Sequence, residues 1–451
     1  GPRLTPCWSK KSGRRTRPSD TTQGRNRPQT TALNLGRIRQ ICPRFASTAL
    51  ALMGSQLDAR LAATLATREQ RNLLRTLVSG EGLVDLSSND YLGLARDVSL
   101  HRSALQEIEA AYATGHVVSR QGSGGSRLLS GHSMTAERLE SFLADVHKSE
   151  AALLVNSGFD GNLSYFGCIP GPGDLVLYDE LIHASVHEGM RVGRARREPF
   201  RHNDVDHLEA CLARARQSSC GSDARSTIFV ATEGIFSMDG HVAPLARISS
   251  LCDTYGAILV VDEAHSTGLC GPRGLGLVQE LGLERSVGAR LVTFGKAIGC
   301  HGAVWLCSRV QRTYLINYGR PIVYSTCLPP HALVTVHAAY GVMMSADGDA
   351  RRDHVKRLVK TFRETLAAAP GVVLLESSTP IQGVIVPTNE RVVQVAATLR
   401  KAGYDARPIR SPTVPAGMER IRICLHAHNT MDELRPFCEL LITCLAEKTR
   451  L

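Results

Sequence analysis

Through the middle of the chain, short apolar runs bounded by turn residues alternate with helix-length amphipathic segments. The apolar runs fall at 152–155, 175–178, 227–231, 257–261, 291–294 and 303–307, and none shows the every-second-residue pattern of a half-buried strand. Strands apolar on both faces, alternating with helices, form a mostly parallel sheet covered on both sides. The pattern therefore predicts a large α/β domain over 100–335. Ahead of it, 57–77 has helical period, and 83–86 is a short strand that delivers Ser88-Asn89-Asp90-Tyr91-Leu92-Gly93 as a turn. Behind it, an amphipathic stretch at 330–369 leads to strands at 383–386, 404–409 and 420–425 and helices at 392–401 and 431–447. These predict a smaller C-terminal α+β domain at 336–451, with an N-terminal helix and short strands at 53–99 and an extension at 1–52 outside the pattern.

Composition changes this picture only at the N-terminus. With 451 residues, 43% of them hydrophobic, the chain can bury a large core. Of its formal charge of +11, residues 1–50 carry +10, through eleven Lys and Arg against the single acid Asp20. The body is nearly neutral, and the extension has no interleaved aromatic residues, so a nucleic-acid partner is not expected. Rich in Arg, Ser and Thr, the extension resembles an organelle presequence ending at Pro43-Arg44-Phe45-Ala46-Ser47-Thr48. That reading expects a mitochondrial protein; a start at Met53 expects a cytoplasmic one, and the terminal Thr449-Arg450-Leu451 loosely matches a peroxisomal signal. No run of 18 apolar residues predicts a membrane span. The 13 cysteines include no C-x-x-C pair, so they read as reduced, packed thiols and no metal is expected.

Ligands of open α/β sheets gather at the carboxyl ends of strands, and four deliveries there carry chemistry. The run 257–261 ends in Asp262-Glu263-Ala264-His265. A carboxylate so placed needs a positive partner, which a pyridinium nitrogen supplies; taken alone, a strand-end Asp is more often a metal ligand or a cap. The run 291–294 ends in Gly295-Lys296, where a desolvated amine can hold a Schiff base. Asn156-Ser157-Gly158-Phe159 joins a strand to a helix and leaves backbone N–H groups free for a phosphate, although a plain tight turn has the same sequence. His183 and His187 have the i, i+4 spacing of a metal-binding face, yet the Glu of the H-E-x-x-H pattern is missing and no third ligand is spaced to help, and a ring-stacking role suits His183 better. Lysine, carboxylate, phosphate cup and flat ring together meet the needs of pyridoxal phosphate.

These residues resemble a known family. Ser88-Asn89-Asp90-Tyr91-Leu92-Gly93, Gly122-Ser123-Gly124-Gly125-Ser126-Arg127, Thr232-Glu233-Gly234-Ile235-Phe236-Ser237-Met238-Asp239-Gly240, Asp262-Glu263-Ala264-His265 and Thr293-Phe294-Gly295-Lys296 occur in the order and spacing of the α-oxoamine synthases, from about residue 57 to the end. The resemblance implies the fold of the pyridoxal-phosphate-dependent transferases of the aspartate-aminotransferase type. It implies that Lys296 carries the cofactor, Asp262 pairs with its ring nitrogen, His183 stacks on the ring, and His265 and Ser237 sit near the ring oxygen. Gly158, Phe159 and Thr293 would line the phosphate. Ser325 and Thr326 would reach the phosphate of a second subunit, so a homodimer with active sites at its interface is implied. Asn89 and Arg422 match positions that hold the amino-acid carboxylate.

The implied reaction joins an amino acid to an acyl-CoA with loss of carbon dioxide and coenzyme A, Lys296 removing the α-proton. Ser126 stands where the glycine-using members have Thr, which leaves room for the methyl of alanine. The segment 409–417 resembles the biotin-pathway branch, which uses L-alanine and a pimeloyl thioester, and the resemblance implies a substrate-binding role for its Arg410; Ser411 departs from its Pro, and Cys300-His301 stands where small residues are usual. Glycine with acetyl-CoA, a long-chain acyl-CoA or a polyketide thioester are the alternatives within the family, and a catalytically inactive binding subunit is the alternative outside it.

Overall fold

The computed structural model describes residues 43–113, 121–219 and 226–447, so most of the basic extension and its presequence-like charge lie outside the described residues. One helix, Pro43–Gln70, belongs to a compact unit of its own, and the chain from Arg71 onward forms a second. The helix expected to reach 77 stops at Gln70, and Asn72 turns the backbone with φ 54°.

Among the described residues, twelve strands build the second unit. They are β1 (Val84–Asp85), β2 (Ala151–Val155), β3 (Leu175–Asp179), β4 (Arg196–Phe200), β5 (Ile228–Glu233), β6 (Ile258–Asp262), β7 (Val287–Thr293), β8 (Ala303–Cys307), β9 (Ile381–Ile385), β10 (Tyr404–Asp405), β11 (Arg407–Ile409) and β12 (Arg420–Cys424). Seven of them form the central sheet in the order β2-β8-β7-β6-β5-β3-β4. The strands from β7 to β4 run parallel, and β8 alone is antiparallel to both its neighbours. The mostly parallel sheet and the helices on it are as the periodicity predicts.

Every residue of β2, β5 and β8 is buried, which is why these runs show no alternation. Trp305 of β8 is completely covered; it stacks on Tyr165 at 4.5 Å and donates its indole N–H to Gly161 O at 2.9 Å. Burial of aromatic side chains of this size contributes roughly 1.5–3 kcal/mol each, and here it clamps the helix Gly158–Cys168 onto the sheet. The strand missed in the sequence, β4, lies at the sheet edge with its Arg, Glu and Pro largely exposed, so nothing demanded apolar residues there.

The expected helix at 330–369 is two helices, Pro330–Met343 and Ala346–Ala367. Ser345 separates them, its hydroxyl accepting the N–H of Asp347 as an N-cap. The expected strand at 404–409 is also two. β10 pairs in parallel with β1, while β11 joins the antiparallel sheet β11-β12-β9. The core beside that sheet draws Leu86 from the N-terminal end of the unit together with Leu358, Phe362, Ile421, Ile423 and Phe437. No helix among the described residues is long and apolar enough to cross a membrane.

Candidate active site

Three neighbouring parallel strands end in carboxylates at the same edge of the sheet: β3 in Asp179, β5 in Glu233 and β6 in Asp262. Glu233 and Asp262 stand directly opposite each other in register, and all three are buried. Buried carboxylates crowded together need donors or protons. Asp179 has donors: the N–H groups of Leu181 and Asn203, each at 2.9 Å, with His202 Nδ1 at 2.9 Å. Asp262 has them too, accepting the N–H of Ala264 at 2.9 Å on Oδ1 and Asn162 Nδ2 at 2.8 Å on Oδ2. Glu233 leaves Oε1 without a partner, and burial, reinforced by the Asp262 charge, pushes its pKa well up. It is therefore the member of the row that holds a proton.

Lys296 follows β7 by three residues, facing this row. Burial pushes its amine down to about 8, against the opposing pull of Asp262 and Glu233, with Arg422 assisting the fall. About a tenth of the amine is then neutral at pH 7, against well under a thousandth for an ordinary lysine. An amine of this kind is a nucleophile and a base at physiological pH.

Opposite the row, Arg422 on β12 gathers a second group. Its Nε donates to Ser237 O at 2.8 Å and its Nη2 to Asn89 Oδ1 at 3.0 Å. Tyr91 Oη also donates to Asn89 Oδ1, at 3.1 Å, and lies 2.7 Å from His265 Nδ1. With the tyrosine proton given to Asn89, His265 Nδ1–H is the donor to Tyr91. Burial holds the His265 pKa well below the usual range, and the charges of Lys296, Arg422 and His183 act in the same direction. His265 is thus a neutral imidazole hydrogen-bonded to Tyr91.

His183 caps the helix Ala184–Val192, its Nδ1 accepting the N–H of Ser185 at 3.3 Å and lying 2.7 Å from Ser185 Oγ. At the start of the helix Gly158–Cys168, Ser157 caps the N–H of Asp160 at 3.0 Å, and a Cβ on Gly158 would lie 3.7 Å from Thr293. Gly158 and Thr293 therefore face each other across a narrow gap, with Phe159 exposed beside them. Asn156 Nδ2 donates to Thr326 O at 2.7 Å, which sets Ser325 and Thr326 at the surface next to that helix start.

Ser126 is buried at the head of the turn Arg127–Gly131. Arg127 ties that turn to Glu140, a buried carboxylate that also accepts Arg312 Nη2 at 2.7 Å and the N–H of Leu154 in β2 at 2.8 Å. Arg410 is placed differently from Arg422. It lies one residue past β11 and donates through Nη1 to the carbonyls of Asn72 and Leu74. His187 meets Tyr178 edge-on at 5.2 Å, and His301 is exposed.

Sequence reasoning missed Tyr91, Asn162, Ser185 and Glu233. Glu233 had a signal, since it ends its strand as Asp262 does; Asn162 had a weaker one, as a poor helix former inside a helix. All ten described cysteines are free. Among the described residues one trio, Asp85, His426 and His428, has metal-ligand spacing, but Arg96 Nη2 lies 2.6 Å from Asp85 Oδ2 and already neutralises it.

Comparison with known proteins agrees with this geometry. The chain is 41% identical over 378 residues to an 8-amino-7-oxononanoate synthase of Emericella nidulans, covering 80% of this chain and 89% of that protein. It is 38% identical over 361 residues to the enzyme of the same name from Chlorobaculum parvum, covering 79% and 88%. Among solved structures it resembles a serine palmitoyltransferase variant from S. paucimobilis with bound PLP–myriocin aldimine, at a TM-score of 0.74 and 25% identity, over 86% of this chain and 97% of that one. The family model for class I and II aminotransferases matches 81–441. That span takes in all twelve strands and the whole group around Lys296, and the chain accordingly belongs to the class I and II aminotransferase family.

Proposed function

We propose that this chain is a pyridoxal-phosphate-dependent synthase that joins L-alanine to pimeloyl-CoA, giving 8-amino-7-oxononanoate, carbon dioxide and coenzyme A. The observation that carries this reading is the Lys296 amine, held at about 8 and facing the buried carboxylate of Asp262, in a chain 41% identical to a synthase of that name.

The donor set fits the cofactor. When bound, pyridoxal phosphate supplies an aldehyde that captures amines and a ring that withdraws electrons from the carbon beside the captured nitrogen. Lys296 Nζ is the amine placed for the aldehyde. Asp262, with both oxygens fixed as acceptors by Ala264 N–H and Asn162 Nδ2, would pair with the protonated ring nitrogen. The N–H groups of Gly158 and Phe159 and the hydroxyl of Thr293 would hold the phosphate. His183 would cover the ring, and Ser237 and His265 would face its oxygen.

The chain's own residues then perform the steps of selection and proton transfer. Arg422 and Asn89, already bonded to each other, bind the carboxylate of the amino acid. Ser126 bounds the space for its side chain. Lys296 Nζ, partly neutral at pH 7, takes the proton from Cα and later returns one there.

A homodimer accompanies this reading. Tyr318 and Tyr324 are 60% and 77% exposed and line a surface groove of about 400 Å³ with Asp160, Leu163, Val192 and Ser325. Aromatic side chains bared beside Ser325 and Thr326 suit a second copy of the chain, which those two residues would then serve.

The test is the mass of the product formed from L-alanine with a panel of thioesters. Pimeloyl-CoA is expected to give 8-amino-7-oxononanoate, and an aminoketone formed only from acetyl-CoA or a long-chain acyl-CoA would overturn the choice of substrate.

A further inference from the structure

Asn162 lies inside the helix Gly158–Cys168 and is 1% exposed. Its amide nitrogen is 2.8 Å from Asp262 Oδ2 and 2.9 Å from Ser185 Oγ, so each of its two hydrogens has an acceptor. The opposite amide orientation would set Oδ1 against the Asp262 carboxylate, which excludes it.

The direction of the chain of bonds follows from this. An amide nitrogen only donates, so Ser185 Oγ is the acceptor and its single proton is left to point elsewhere. The neighbour in reach is His183 Nδ1, at 2.7 Å, which the backbone N–H of Ser185 also approaches, at 3.3 Å. Two donors aimed at one ring nitrogen require a lone pair there. The hydrogen of a neutral His183 then sits on Nε2, the nitrogen turned away from the helix end.

We infer that Asn162 is a positioning residue that sets two groups at once: it holds Asp262 as an acceptor and, through Ser185, it holds His183 as the tautomer protonated on Nε2. The inference rests on the roles proposed above for Asp262 and His183 and explains how one amide keeps them in step. Burial lowers the His183 pKa, so the neutral ring is also the favoured one. A stacked ring with a fixed Nε2–H presents a donor of constant direction to whatever binds over it, whereas a ring free to exchange tautomers would offer a donor and a lone pair by turns.

The test uses the holoenzyme labelled with ¹⁵N-histidine, with His183 assigned by its loss in His183→Gln. The parent is expected to show His183 Nδ1 unprotonated and Nε2 protonated. Ser185→Ala removes the short hydroxyl contact to His183 and leaves only the longer backbone N–H: the share of rings protonated on Nδ1 should rise measurably, while the affinity for pyridoxal phosphate stays within about threefold. Asn162→Ala removes both arms and is expected to mix the tautomers and weaken cofactor affinity tenfold or more. A parent protonated on Nδ1, or a Ser185→Ala ring unchanged from the parent, overturns the inference. Equal loss of cofactor affinity in the two variants overturns it as well, because a merely structural asparagine would not separate the arms. The tautomer is read equally well in cofactor-free protein, so failure to retain pyridoxal phosphate refutes the proposed function and leaves this inference to stand or fall on the imidazole signals.

Discussion

Lys296 owes its chemistry to where β7 ends. A lysine on the surface keeps its proton to pH 10 and beyond; Lys296 loses it near 8, because burial outweighs the opposing pull of Asp262 and Glu233. The sign gives a test: the neutral amine grows from about a tenth at pH 7 to about nine tenths at pH 9. Uptake of pyridoxal phosphate by the cofactor-free protein should therefore accelerate close to tenfold over that range and level off above it, as stopped-flow absorbance would record. Borohydride reduction should then place the label on Lys296, and a rate still climbing at pH 10 would show an ordinary amine. Asp262→Asn is expected to keep some cofactor but to lower kcat by roughly 100-fold or more, since an amide cannot hold a proton on the ring nitrogen. Ser126→Thr adds one methyl to a buried position. It should cost alanine more than glycine by about 1–3 kcal/mol, so the alanine-to-glycine ratio of kcat/KM falls roughly tenfold or more. These residues were legible because each is delivered at a strand end or within a motif. Asn162 and Ser185 were not, since their meaning comes from two helices meeting in space, which no spacing along the chain records.

The two helices Gly158–Cys168 and Ala184–Val192 approach closely, and small residues permit it. A Cβ on Gly189 would lie 2.6 Å from Asn162 O and 2.8 Å from Phe166 Cβ, and one on Gly193 would lie 2.4 Å from Phe166 O. Gly189→Ala is therefore expected to cost about 1–3 kcal/mol of stability, seen as a lower denaturation midpoint. It should also raise the KM for alanine, because the helices it parts carry Asn162 and His183. If stability falls and KM does not, the helix contact serves packing alone. Elements of this kind, buried on both faces or strongly amphipathic, were legible as patterns. What failed was punctuation. Ser345 starts a new helix in the middle of one continuous amphipathic run, and Asp405 and Arg407 sit in different sheets although no turn residue divides them. β4 failed for another reason, since an edge strand with Arg, Glu and Pro outward shows no apolar rhythm.

At the scale of the whole molecule, the proposed homodimer would cover the surface left bare around Tyr318 and Tyr324. Light scattering should give a mass near twice 48.8 kDa, and Tyr324→Asp should shift it toward the monomer with parallel loss of bound cofactor. Within one chain, the C-terminal sheet is bolted to the site loop after β5, where Arg420 bonds Asp239 and Arg422 bonds Ser237 O. The N-terminal end of the unit is fastened there too. β1 has β10 as its strand partner, pairing Val84 with Tyr404, and Leu86 enters the core beside β12. A ribosome adding about 5–20 residues per second reaches Tyr404 some 15–60 seconds after Val84. For that interval the turn carrying Asn89 and Tyr91 lacks its C-terminal partners, Arg422 for Asn89 and the N–H of Ala427 for Tyr91 O, while β3 to β7 can already assemble behind it. Birth order thus runs against spatial order: among the first parts of the site to leave the ribosome are ones that cannot be locked in place until nearly the last strand has appeared.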